Sequence, residues 1–332
     1  MSDRVRSQID LFGAPRADAT ESVAAAEHDT PLTAIAEALP AHLRLGTSSW
    51  AFPGWKGLVY AQHETATRLS RYGLSAYAQH PLLRTVGLDR TFYAPIEARV
   101  FAEYAAAVPE DFRFLVKAHA ALTTSERQRS IGDATARSVF LDAEYAASEV
   151  IAPAVEGLGE TLGVILFQFP PLVLPPRQLA AFPERLARFL SALPRGVPYA
   201  VEVRDAAVLS EAYGSALSEG GATHCYNVHP RMPDVLTQAA QLGAAVRAAG
   251  PVAVRWMLRT DQQYASAKEA YAPFDQLVAP DPARRAQIAE LLSMLEAEAH
   301  PVLVIANNKA EGSAPRTLIE LARLLAGRSR RL

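Results

Sequence analysis

Residues 162–169 read LGVILFQF. The run is too short for a buried helix and lacks polar alternation, so it predicts a strand covered on both faces, as in a parallel sheet. Runs of the same kind recur outward from it. Upstream lie LRLGTSS (43–49), LRTVGLD (83–89) and FRFLVKA (112–118); downstream lie YAVEVR (199–204), THCYN (223–227), VAVRWM (252–257) and VLVIAN (302–307). Segments with helical spacing separate them. In 177–193, Leu179, Phe182, Leu186, Phe189, Leu190 and Leu193 share one face. Asp281 followed by Pro282 predicts a helix start that runs to about Ala299, and a last helix is expected from about Ala314 to Ala326, closed by Gly327. Eight strands alternating with helices predict an α/β fold, a TIM-type (β/α)8 barrel. A doubly wound open sheet is the structural alternative.

The chain has 332 residues, 50% hydrophobic and 20% charged, enough for a large core. We expect three parts: a flexible acidic tail with a short helix at 1–42, one barrel domain at 43–327, and a basic C-terminal tail at 328–332. Enlarged loops are expected after the first and third strands, at 50–82 and 119–161. Residues 1–42 carry 3 basic and 7 acidic residues, net −4, so the chain's −2 leaves +2 for the rest. A mildly basic barrel suits an anionic ligand, whereas net charge lends nucleic acid no support. The single Cys225 excludes an intramolecular disulfide, and no apolar signal core or membrane-length stretch occurs, so a cytoplasmic location is expected.

In a barrel the strand C-termini converge on one mouth, and chemistry is expected there. Lys117 closes the run FRFLVK; at a dry rim it suits an anion or carboxylate partner, then a base or Schiff-base amine. Glu202 and Arg204 are two apart on one strand and point the same way, as a substrate-facing pair or as a buried structural ion pair. Asp89 and Glu202 are the acid–base candidates beside Lys117. Arg204, Arg255, Asn307, Asn308, Lys309, Trp50 and Gln168 are candidate ligand contacts. The turn NNKAEGSAP (307–315) offers backbone amides at a helix start, either as an anion cradle or as a turn capped by Ser313. His119, His224 and His229 lack metal-ligand spacing, and no phosphate-loop, dinucleotide or nucleophile-elbow motif occurs, so no cofactor is named.

These blocks resemble a known family. GTSSWAFPGWKGLVY (46–60), TFYAP (91–95), PEDFRFLVKA (109–118), LGVILFQFPP (162–171), YAVEVR (199–204) and NNKAEGSAP (307–315) are similar, in order, to those of domain of unknown function 72, the YecE-like proteins. The resemblance implies a TIM-type barrel over about 43–326 and no particular activity. The chain departs from the family pattern at several places. Gly87 stands where a glutamate is usual and Asp89 where an asparagine is; Thr123 and Thr124 stand in a Thr-His pair, and Asp205 in a histidine position. A second resemblance lies in the tail. QIDLF (8–12) is similar to the peptide by which bacterial repair proteins dock on the replication sliding clamp, with Gln8 at the rim of an apolar pocket and Leu11 and Phe12 inside it. Alternatively, Leu11 and Phe12 fold back on the barrel. The expectation is thus an enzyme that binds a small or nucleotide-like anionic ligand at the barrel mouth or, alternatively, a non-catalytic or nucleic-acid-processing accessory recruited to the sliding clamp through QIDLF.

Overall fold

A computed structural model describes residues 22–125, 138–172 and 174–329. Nine parallel strands form one sheet: β1 (Leu43–Thr47), β2 (Leu83–Leu88), β3 (Arg113–Lys117), β4 (Leu162–Phe169), β5 (Tyr199–Val203), β6 (Ala222–His224), β7 (Tyr226–Val228), β8 (Val252–Trp256) and β9 (Val302–Ala306), in the order β6-β5-β4-β3-β2-β1-β9-β8-β7. The eight expected strands are all present. The ninth arises because THCYN is split: β6 pairs only with β5, β7 pairs only with β8, and between them the Cys225 amide donates to the Val201 carbonyl at 2.9 Å. One bent stave thereby joins the two ends of the sheet and makes the structure a nearly closed, eight-staved barrel.

Side chains alternate along each stave. Leu115, Val164, Leu166, Ala200, Cys225, Ala253, Leu303 and Ile305 form one buried cluster inside the barrel, while Val116, Ile165, Phe167, Val201, Val254 and Val304 belong to the larger core beneath the helices. Two residues past the inward set come Lys117, Gln168, Glu202, Asn227, Arg255 and Asn307. The period-2 rule therefore aims all six into the upper end of the barrel.

The helices confirm some boundaries and move others. Asp281 caps the helix Pro282–Ala297, its carboxylate accepting from the Arg284 amide at 3.0 Å. Replacing Asp281 with Ala is expected to cost about 1 kcal/mol, read as a lower urea midpoint with an unchanged slope. The single helix expected over 177–193 is two, Pro176–Ala180 and Phe182–Ser191, because Pro183 has no N–H to continue the ladder. Gly327 is not a cap: the last helix runs Ala314–Ser329, through the boundary expected at 327. Ser313 is not its cap either. Its hydroxyl is buried without a partner, and the Asn308 side-chain oxygen Oδ1 accepts from the Ala314 amide at 2.8 Å.

Packed structure begins upstream of residue 43. The Ala26 amide donates to Val59 O and the Ala61 amide to Ala24 O, both at 3.0 Å, and the helix Thr30–Glu37, capped by Asp29, buries Leu32. From Val23 onward the described part of the acidic tail packs on the barrel, and the short helix expected in it is Thr30–Glu37. QIDLF, residues 126–137 and residues 330–332 lie outside the described residues. No helix among the described residues is long and apolar enough to cross a membrane.

Candidate ligand site at the barrel mouth

Glu202 sits at the centre of the upper barrel layer and is fully buried. Its two oxygens are shared between two guanidiniums: Arg204 donates through Nε to Oε1 at 2.9 Å, and Arg255 donates through a terminal nitrogen to Oε2 in a shorter contact. Gln168 lies beside Glu202 in the β4–β5 register, and Asn227 beside Arg255 in the β7–β8 register. Asn227 donates to Val203 O at 3.1 Å, while its Oδ1 and the Nε of Arg255 are buried without partners.

Above this layer stand Lys117 and Asp89. The Lys117 amine is 3.8 Å from Asp89 Oδ1 and 3.6 Å from the centre of the Phe92 ring; Arg255 reaches the same Asp89 oxygen at 4.0 Å. Asp89 is the more open carboxylate, with 41% of its side chain exposed, against 11% for Lys117. Three cations, Lys117, Arg204 and Arg255, thus face two carboxylates, Glu202 and Asp89, leaving the layer one positive charge in excess.

The surrounding charges set the state of Glu202. Burial acts to raise the Glu202 carboxyl, but Arg255 and Arg204 together outweigh it and hold the group at about 2. Glu202 therefore stays ionised across the physiological range. Burial pushes the Lys117 amine down to about 8, with Asp89 opposing and Arg255 assisting. Burial and the neighbouring Arg204 lower His229 to about 4, and its Nδ1 accepts from the Arg231 amide at 3.3 Å, which leaves the proton of the neutral ring on Nε2.

Comparison with known proteins fixes the lineage. A family model described as "Protein of unknown function DUF72" matches residues 44–332. The chain belongs to the DUF72 family. A DUF72 family protein from Enterococcus faecalis V583 is similar in fold, with 20% identity and a TM-score of 0.59 over 85% of this chain and 95% of that one. One from Thermotoga maritima MSB8 has 21% identity and a TM-score of 0.54, over 85% of this chain and 98% of that one. At such identities the likeness shows the fold alone. No curated protein matches the chain.

Within this DUF72 barrel the sequence candidates divide. Lys117, Asp89, Glu202, Arg204, Arg255 and Gln168 gather in the mouth. Asn307 and Lys309 form a second group against β1: Asn307 donates to Ser48 Oγ at 2.8 Å and accepts from the Lys309 amine at 3.2 Å, and that amine lies 4.2 Å from the centre of the Tyr264 ring. The turn is not an open cradle. The amides of Lys309, Ala310, Gly312 and Ala314 all donate within it, and Asn308 is spent as a helix cap. Trp50 is no stacking lid: it is buried, donates to Leu69 O at 2.9 Å and meets Tyr104 edge-on, packing its loop on the wall.

The histidines do not converge. His119 pairs with the Tyr145 hydroxyl at 2.7 Å, and His224 is buried between Tyr213 and Gln238. No group of three or more metal-ligating side chains occurs among the described residues. Sequence reasoning missed Phe92 and Tyr264 as the rings lying against the two mouth lysines. Phe92 carried a signal, three residues past Asp89; Tyr264, the first residue of the helix Tyr264–Tyr271 that follows β8, carried none. A cavity of about 380 Å³ lined by Pro40, His42, Leu43, Leu292, Val302 and Leu325 lies at the opposite end, where the strands begin. That end of such barrels serves stability, so the charged layer and not the cavity locates the site.

Proposed function

We propose that this DUF72 barrel binds a small anionic ligand, carboxylate- or phosphate-bearing, at its C-terminal mouth. The observation that carries the reading is the excess positive charge of the buried layer, in which three cations stand over two carboxylates. Arg204 spends one nitrogen on Glu202 and remains 22% exposed, so its terminal nitrogens are available to an anion. Lys117 supplies a second cation from the β3 end. Glu202 suits an anchoring role: both oxygens are engaged, and a carboxyl held at about 2 does not deliver protons near neutrality. The acid–base role then falls to Asp89, which touches both Lys117 and solvent. An enzyme is the reading this division of labour supports best, with Asp89 and Lys117 exchanging protons with the bound anion.

Calorimetric titration of the full chain with inorganic phosphate, citrate and a nucleoside monophosphate tests it. Binding of at least one is expected, weakening as pH rises through 8, where Lys117 loses its proton. Arg204→Met is expected to weaken that binding by tenfold or more, about 1.4 kcal/mol. Equal affinity in wild type and Arg204→Met, or no binding of any of the three, would overturn the reading.

A further inference from the structure

Lys117 is the cation of the charged layer whose charged group has no hydrogen-bond partner among the described residues: Arg204 and Arg255 both donate to Glu202, whereas the Lys117 amine reaches no acceptor within hydrogen-bond distance. An ammonium has three donors and ordinarily finds acceptors for them when buried. Here the side chain is nine-tenths buried, and its partner carboxylate is 3.8 Å away, beyond hydrogen-bond distance; the ring of Phe92 lies against it instead. The amine still meets the mouth, because 11% of the side chain remains exposed. The chain has three other lysines, Lys56, Lys268 and Lys309. Lys56 and Lys268 are exposed, and the Lys309 amine donates to the Asn307 side-chain oxygen Oδ1. Lys117 alone combines burial, access and an unengaged amine, and burial leaves about a tenth of it as free base at pH 7.

We propose that Lys117 is an imine-forming nucleophile and that the anion bound at the mouth carries a carbonyl, as a 2-oxo acid or a phosphorylated aldehyde or ketone does. The inference rests on the anion-binding reading above. The exposed edge of Arg204 holds the carboxylate or phosphate and brings the carbonyl carbon to Nζ. The Nζ lone pair forms the C–N bond as the C=O π pair moves to oxygen, which takes up the proton that nitrogen loses. Asp89, close to Nζ and open to solvent, passes protons between them. A second proton on that oxygen lets it leave as water while the nitrogen lone pair closes the C=N bond. The balance is one ammonium and one carbonyl giving one protonated imine and one water. The imine withdraws electrons from the adjacent carbon, which is the usual purpose of a desolvated lysine amine.

The full chain is incubated separately with pyruvate and with dihydroxyacetone phosphate in the presence of cyanoborohydride, which reduces an imine to a stable secondary amine, and is mapped by peptide mass spectrometry. With four lysines the assignment is unambiguous. One of the two probes is expected to label Lys117 at least tenfold more than Lys56 or Lys268, excess inorganic phosphate is expected to suppress that label, and Lys117→Arg, folded by circular dichroism, is expected to lack it. Phosphate binding by the wild type with no preferential label on Lys117 would sink the imine and leave the anion site standing. Absence of label together with no binding of phosphate, citrate or the nucleoside monophosphate removes both.

Discussion

Glu202→Gln is expected to destabilise the fold by roughly 3–5 kcal/mol at pH 7, the range for breaking a buried ion pair from one side. The amide keeps the size of the side chain and removes its charge. Arg255, only 2% exposed, then retains Asp89 at 4.0 Å as its anionic neighbour, and Arg204 loses its ion-pair partner. The cost is mainly that of an uncompensated guanidinium inside the barrel, so Glu202→Gln combined with Arg255→Met is expected to be less damaging than Glu202→Gln alone. The pH dependence has a definite sign. The folded carboxyl lies at about 2 against an ordinary 4.5, so the stability it contributes is fully present above 4.5 and is lost as pH falls toward 2. Urea unfolding of wild type and variant between pH 3 and 7 should show a gap that narrows on acidification. A gap below 1 kcal/mol at pH 7 would contradict the anchoring role and return Glu202 to the acid–base candidates.

Lys117→Met should move stability the other way. The folded amine lies at about 8 and the ordinary value is 10.5, so between these the unfolded chain binds more protons than the folded one. Wild-type stability therefore rises with pH across that window, and below 8 the full cost of charging a buried amine is carried. Met removes the cost while filling similar volume against Phe92. The variant is expected to gain roughly 2–3 kcal/mol at pH 7, an upper figure because Asp89 loses its neighbour, and to lose the gain by about pH 10.5. Ligand binding should fall together with that gain, the exchange of function for stability typical of strained sites. Urea midpoints at pH 7 and pH 10 decide the matter: a variant less stable than wild type at pH 7 would mean that Lys117 is a structural ion-pair partner.

Much of the barrel was legible because LGVILFQF and its counterparts are covered on both faces, and a short, continuous apolar run suits little besides a strand buried on both sides. The Glu202–Arg204 relation was legible for a similar reason, since residues two apart on a strand share a side whatever the tertiary structure. What escaped depended on contacts distant in sequence. THCYN reads as one strand because nothing local announces that its halves serve different neighbours. Asn308 displaces Ser313 as the cap because the turn folds back to bring a residue six positions upstream over the Ala314 amide, whereas the local rule selects the nearest hydroxyl. The spare amine of Lys117 was equally hidden: whether a lysine finds acceptors depends on what the β2 end places above it, and that proved to be a phenyl ring and a carboxylate held just out of reach.

The divided stave has a mechanical consequence. Every other stave is laced along both of its edges by backbone ladders, but this one is laced on one edge below Cys225 and on the other above it, and its remaining edges are held by side-chain bonds instead, Thr223 Oγ1 to Pro251 O at 2.9 Å and Asn227 Nδ2 to Val203 O at 3.1 Å. The wall is therefore most compliant along this line, and backbone amides of 222–228 should exchange with solvent sooner than those of β4 or β9. Asn227 and His229 ride on the upper half, against Arg255 and Arg204. Any molecule gripping those cations would stiffen the seam, and the tightening of the wall would itself register that the mouth is filled.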